Sequence, residues 1–441
     1  MTTVTRKLGV RTARNSPLGP VLLLVVLLPS LIFYAGLTTS HALGASAAAL
    51  AVVGIGITTA SARRARVALA PGALAAFVVT AIAVHLIGAS VFLPLDVVRA
   101  TASLVPLALV IFGGCELGRL LAATPDAAIS RAVRLCFAVL CVVSALPTLG
   151  LSPGMPNVEV AYAKPVFPFT EPSHFALVFV PMLMYCCVVS RGHRRLVLLL
   201  LGAAVAGALQ NLTLMAGCLL VACVCLRSLA LPVMVVALGL FATQMDLSYY
   251  TERLDFSGEV QNLSNLVYVQ GWQLVGESLK RSNGWGLGFQ QLGLRGSDTE
   301  AASVIFALVG DYANVLDGGF TFAKLAGEFG AFGLLLAVAY LTTAWRAFRN
   351  LRATAGGKTL LNAPVVFAQC VLVSYFIELF VRGAGYFTGT GIFLVAAFWL
   401  LAWANRVSPS AAVASGSTAN RRGRRRNPNA ASFRSWPLGP E

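Results

Sequence analysis

Charged side chains are scarce in this sequence of 441 residues: Asp, Glu, Lys and Arg together make up 11% of it. An ordinary soluble domain carries roughly 25%, so there is too little polar side chain here to coat a water-exposed surface. Apolar segments such as 21–31 and 196–201 also lack the polar stripe at helical period that an amphipathic helix of a soluble protein needs. Cysteine is missing from every polar segment. All nine (Cys115, Cys136, Cys141, Cys186, Cys187, Cys218, Cys223, Cys225 and Cys370) fall inside apolar blocks, where a thiol acts as a small hydrophobe. Neither a disulfide framework nor a cysteine metal cluster is expected from that placement. Histidine is rare, at four residues, and acidic residues number 17 against 33 basic ones.

What the chain has instead is hydrophobic residues, 57% of the total, in blocks near the ~20 residues that carry a helix across a bilayer. Lipid cannot satisfy an open backbone, so such blocks are expected to be helices. The blocks predict an all-α integral membrane protein with about twelve spans: 18–38, 43–61, 72–93, 101–118, 134–150, 173–190, 196–209, 211–226, 228–245, 329–347, 361–381 and 388–404. With the N-terminus inside, the inside segments hold 25 of the 33 basic residues and the outside segments eight: Arg99, Lys164, Arg253, Lys280, Arg281, Arg295, Lys324 and Arg382. That asymmetry is what the positive-inside rule requires when both termini are cytoplasmic. The net charge of +16 is thus topological, and no nucleic-acid partner is expected. The first apolar run is longer than the 7–15 residues of a signal-peptide core, so it is read as a retained span.

The expected organisation is a cytoplasmic N-terminus (1–17), nine spans (18–245), a large outer loop (246–328) with short helices, three further spans (329–404) and a basic disordered cytoplasmic tail (405–441). Two outer segments are longer than turns. The first, 151–172, carries Pro153, Pro156, Pro165, Pro168 and Pro172, which favour an extended path. The second, 246–328, holds ten of the seventeen acidic residues and five basic ones; long ordered loops are usually functional.

Several residues there suit chemistry. In the run 169–175, Phe-Thr-Glu-Pro-Ser-His-Phe, Thr170 is a candidate N-cap and Pro172 suits a first turn. Glu171, Ser173 and His174 would then sit at the mouth of the sixth span, the plainer alternative being that Glu171 and Ser173 only cap it. A helix is expected over about 262–280, ended by Asn283-Gly284. Trp285-Gly286-Leu287-Gly288-Phe289 follows, whose glycines permit a tight turn or close backbone approach and lack the full dinucleotide-binding pattern. Glu378 lies within an apolar block, where ionisable residues are costly. Such a residue usually points into a cavity; the plainer alternative is that Glu378, four residues from Arg382, pairs with it on one helix face. Arginines on the outer face suit bidentate phosphate contact.

The stretch 171–176, the early loop Arg253, the run 283–289, the stretch 324–330 and Arg382-Gly383 with Tyr386-Phe387 resemble, in order and sidedness, motifs of the Wzy-type O-antigen polymerases, whose superfamily includes the O-antigen ligases. The resemblance covers spans six to twelve. It implies glycosyl transfer at the periplasmic face of the bacterial inner membrane, from an undecaprenyl-pyrophosphate-linked glycan donor to a lipid-linked acceptor, without metal, cofactor or nucleotide-sugar. Membrane lipids and a chain-length regulator are the further partners it implies. On that basis Glu171, His174 and Glu328 are the candidate catalytic residues. Arg253, Arg281, Arg382 and Lys324 are candidates for pyrophosphate contact, and Tyr386 and Trp285 for sugar stacking. Ligases of the superfamily usually present a histidine late in the large loop, and residues 246–328 contain none. That favours a polymerase over a ligase and leaves the base unassigned. A transporter or flippase of lipid-linked glycans is the rival of another class, for which the Gln210-Asn211 break is the best-suited feature.

Overall fold

The structure, a computed structural model, describes residues 17–38, 40–59, 69–151, 166–226, 263–294, 299–310, 315–359 and 361–402. Among these residues the fold is helical, with one isolated bridge between Val166 and Phe169. The helices are α1 (Leu18–Tyr34), α2 (His41–Thr59), α3 (Leu69–Ala89), α4 (Val97–Ala123), α5 (Asp126–Thr148), α6 (Pro172–Val189), α7 (His193–Ala208), α8 (Leu212–Cys225), α9 (Leu263–Arg281), α10 (Glu300–Val309), α11 (Thr321–Ala355), α12 (Ala363–Phe380) and α13 (Gly389–Ala402). Seven of them, α2 to α6, α11 and α12, are long and apolar enough to cross a membrane. The chain is a multi-pass membrane protein.

Several expected boundaries move. The span read at 101–118 is a 27-residue helix beginning at Val97. Its start is fixed by Asp96, whose carboxylate accepts from the Arg99 N–H at 2.9 Å. Two expected spans, 196–209 and 211–226, are helices of 16 and 14 residues, each shorter than a bilayer crossing. Gln210 between them is left-handed (φ 48°) and Asn211 caps α8. Span ten, expected from residue 329, starts at Thr321, because the left-handed pair Gly318-Gly319 (φ 65° and 74°) ends the preceding turn early. Lys324 and Glu328 therefore sit on a helix rather than in a loop. The expected span 228–245 and the tail lie outside the described residues.

The packing is layered. Helices α6 and α12 form the centre, packed on each other and on α5, α8 and α11, while α1, α2, α3 and α4 form a flanking group. Helix α9 lies against α10 and α11. On the periphery Phe77, Val84, Ile87, Val98, Leu335 and Trp345 are 61–78% exposed, an apolar surface suited to lipid and not to water. Small residues bring the flanking helices together. A Cβ on Gly113 would lie 2.7 Å from Ala49 of α2, and one on Gly114 would lie 2.6 Å from Val395 of α13. This is the close backbone approach typical of helix packing in lipid.

Helix α11 is broken at Gly330 (φ 55°, ψ −130°), and the glycine-rich turn explains the break. Leu287 N–H donates to Gly327 O (3.0 Å), Gly288 N–H to Glu328 O (2.8 Å) and Ala331 N–H to Gly284 O (2.9 Å). A Cβ on Gly286 would lie 2.4 Å from Glu328 O, and one on Gly330 would lie 2.2 Å from Gly284 O. The glycines make the tight turn, one of the two expectations, with φ of 84°, 98° and 100° at Gly284, Gly286 and Gly288, and the backbone they let dock is that of α11. That docking supplies hydrogen bonds that the helix break would otherwise leave unmade.

Candidate active cleft

Four segments distant in sequence meet at one end of the bundle: the start of α2, the start of α6, residues 315–324 leading into α11, and the turn after α12. Glu171, not Thr170, occupies the cap position of α6, with Pro172 as the first helical residue. Its carboxylate makes no cap bond. Oε2 instead accepts from Ser173 Oγ and from an Arg382 terminal nitrogen, both at 2.8 Å. Thr170 Oγ1 is free of capping duty and lies 3.1 Å from His174 Nδ1.

Arg382 takes Glu171 as its partner, which removes the alternative in which it pairs with Glu378. Helix α12 ends at Phe380, so Arg382 leaves the helical register that would have stacked it on Glu378 and reaches across to α6. Glu171 retains 37% of its side-chain surface and Arg382 18%, which places the pair in a cleft that water can enter. Burial works against ionisation of Glu171. The adjacent Arg382, with His174 and the two hydrogen bonds, overcomes it and holds the carboxyl at about 2.

Beside this pair, the ring of His174 stands edge-on to His41 at 5.6 Å, and His41 stacks on Phe33 at 4.3 Å. Lys324 is 3% exposed and donates to Asp317 Oδ1 (2.6 Å) and Leu316 O (3.0 Å). Burial again opposes ionisation of Asp317, but Lys324, with smaller contributions from His41 and Arg99, keeps its carboxyl below the usual range. His41 thus stands within electrostatic reach of both carboxylates. Pro29, His41, His174, Phe387, Thr388 and Thr390 line a small cavity on the imidazole side of the cleft, and neither ion pair is among its lining residues.

Glu328 lies one turn beyond Lys324 and is fully buried. The Tyr386 hydroxyl and the Gln290 and Leu292 N–H groups face its carboxyl group, though neither carboxyl oxygen makes a hydrogen bond of ordinary geometry. Tyr386 stacks on Phe289 at 5.7 Å, and Lys324 Nζ sits 5.5 Å from its ring centre.

Trp285 is placed differently from the sugar platform expected of it. Its Nε1–H donates to His85 O (3.1 Å), its own carbonyl lies 3.0 Å from His85 Nε2, and the two rings stack at 5.4 Å. The indole thus clasps α3. Arg281 pairs with Glu277 at 2.6 Å beside a cavity of about 340 Å³ lined by Asp96, Leu274, Leu287 and Gln291. That cavity shares no lining residue with the small one beside the imidazoles. Arg253, Lys164 and Arg295 lie outside the described residues.

His41 and Asp317 are the members of the cluster that residue motifs did not single out. Sidedness was the available signal: the turn before α2 belongs to the same side as 151–172 and 382–387. Chemically, the cleft offers two cations, each held by a carboxylate, beside two imidazoles. Among the described residues no group of three His, Cys, Asp or Glu side chains converges to hold a metal ion. Comparison of the chain with protein-family models, with curated proteins and with solved structures gave no match.

Proposed function

We propose that this cleft transfers a glycan between lipid carriers, polymerising undecaprenyl-pyrophosphate-linked repeat units at the periplasmic face of a bacterial inner membrane. About twelve spans with both termini cytoplasmic complete this proposal. The observation that carries it is the Arg382–Glu171 bond across the cleft mouth, with His174 beside it and Lys324 nearby. In the reaction the acceptor hydroxyl oxygen attacks the anomeric carbon of the donor. The anomeric C–O bond breaks, and the pyrophosphate leaves with the bonding electrons. Arg382 and Lys324 stabilise the charge that grows on the leaving group. A base must take the hydroxyl proton, and a carboxyl held at about 2 is a weak one. Glu171 is therefore assigned to holding Arg382, and His174, with His41 behind it, to the proton. Tyr386 remains a candidate sugar contact and Arg253 a candidate pyrophosphate contact, while Arg281, beside the separate cavity, and the fully buried Glu328 are given no direct contact in this cleft.

The test is glycan chain length in cells carrying Arg382→Ala, with accumulation of the protein measured in parallel. Single repeat units with normal accumulation are the expected result; full-length glycan would remove the proposal. A ligase variant would instead leave long unattached chains. Transport of lipid-linked glycans is favoured by one observation, the burial of Lys324, Glu328 and Glu378 to 3% exposure or less on membrane-crossing helices. Purified protein in vesicles with lipid-linked repeat units separates the two: new glycosidic bonds mark a polymerase, and movement across the bilayer without them marks a transporter.

A further inference from the structure

Glu378 lies in the last turn of α12 and is 1% exposed. Its two carboxyl oxygens contact two hydroxyls at the start of α13: Oε1 is 3.0 Å from Thr388 Oγ1, and Oε2 makes a short contact with Thr390 Oγ1. The two hydroxyls are themselves 2.9 Å apart, and Thr388 Oγ1 also accepts from Gly391 N–H at 2.9 Å. The titratable groups that act on this carboxyl from the surrounding helices are Tyr340 of α11 and Tyr375 of α12. No cation among the described residues acts on it.

The contacts form a closed ring with three oxygen–oxygen links, and each link requires one hydrogen. The two threonines supply two. An ionised Glu378 would supply none, leaving two hydroxyl oxygens 2.9 Å apart with no hydrogen between them, and a charge in the bundle without a counter-ion. A carboxylic acid completes the count. Oε2–H donates to Thr390 Oγ1, Thr390 donates to Thr388 Oγ1, and Thr388 donates to Oε1, while Gly391 N–H fills the remaining acceptor site of Thr388.

We infer that Glu378, Thr388 and Thr390 form a proton-binding site in the wall of the cleft, with Glu378 carrying the bound proton. Both threonines border the space occupied by His41 and His174, so the proton exchanges with the cleft through the hydroxyls. The inference is independent of the glycan-transfer proposal and stands if that proposal fails.

Infrared difference spectra of the full-length protein in nanodiscs at neutral pH, taken against Glu378→Gln, test it. The wild type should show the carbonyl stretch of a protonated carboxylic acid, absent from the variant and displaced in D2O. Gln offers the same donor and acceptor, so Glu378→Gln should keep the wild-type thermal transition. If that variant nevertheless fails to accumulate, Thr390→Val, which opens the ring, should displace the band. Identical spectra of wild type and Glu378→Gln, an unmoved band in Thr390→Val, or a band seen only when sodium is withdrawn would each overturn the inference, the last in favour of a bound metal cation.

Discussion

The two ends of the helical bundle both hold arginine, but with opposite kinds of partner. At the cleft end Arg382 pairs with the Glu171 carboxylate. At the other end Arg195 donates five hydrogen bonds at 2.7–3.1 Å to the carbonyls of Cys187, Ser190, Cys225 and Ala355. Those carbonyls close the C-termini of α6, α8 and α11, where a cation also meets the negative ends of the helix dipoles. A carbonyl hub is fully used by the fold. A carboxylate pair in a cleft that water reaches can be exchanged for an anionic ligand. Identical side chains thus serve the fold at one end and, under the proposed function, the reaction at the other.

The largest effect that would break this contrast is on folding. Arg195→Ala strands four carbonyls, and hydrogen bonds from a charged donor contribute about 1.5–3 kcal/mol each. The expected outcome is failure to accumulate, or the largest drop in thermal transition of any single change. Arg195→Lys should not restore it, since an ammonium cannot reproduce the fork. Arg382→Ala should invert the pattern, with about 10²-fold or greater loss of glycan lengthening and little change in melting. Arg382→Lys should recover part of the activity as a point charge; an equal loss of stability at both ends would refute the contrast. Next comes Gly330→Ala, which meets a left-handed backbone and a carbonyl at 2.2 Å. Its strain of about 1–3 kcal/mol should appear as a lower melting temperature in detergent. The smallest effect is acid dependence. The folded-state carboxyl of Glu171, at about 2, lies below its ordinary 4.5. Its contribution is fully present above 4.5 and is lost as pH falls towards 2. Melting followed from pH 7 to 3 should show that acid loss in the wild type and less of it in Arg382→Gln.

Much of this was legible in the sequence, for identifiable reasons. Helix-forming apolar blocks and their basic flanks gave most of the membrane-crossing helices, and the 262–280 expectation nearly matches Leu263–Arg281. The start of α11 was misplaced because hydropathy undervalues a helical turn carrying Lys324 and Glu328, both of which are buried. Hydropathy cannot register that a charge will be covered by a loop. Partner choice was equally hidden. Four-residue spacing suggested Glu378–Arg382, but a helix ending at Phe380 cancels the spacing, and the actual partner is 211 residues away. Only through the family resemblance was Trp285 a candidate to offer a sugar its ring face. Nothing local announces that His85, 200 residues earlier, takes that face.

The stitching of residues 284–288 onto the break in α11 has a practical corollary. A fragment ended where α11 begins, at Thr321, to obtain the large loop in soluble form would part Leu287 and Gly288 from their acceptors and expose the face that Gly286 presents to Glu328 O. Antibodies or binders selected against such a fragment should recognise a different surface from that of the intact protein. Selections are better made on the whole chain in lipid.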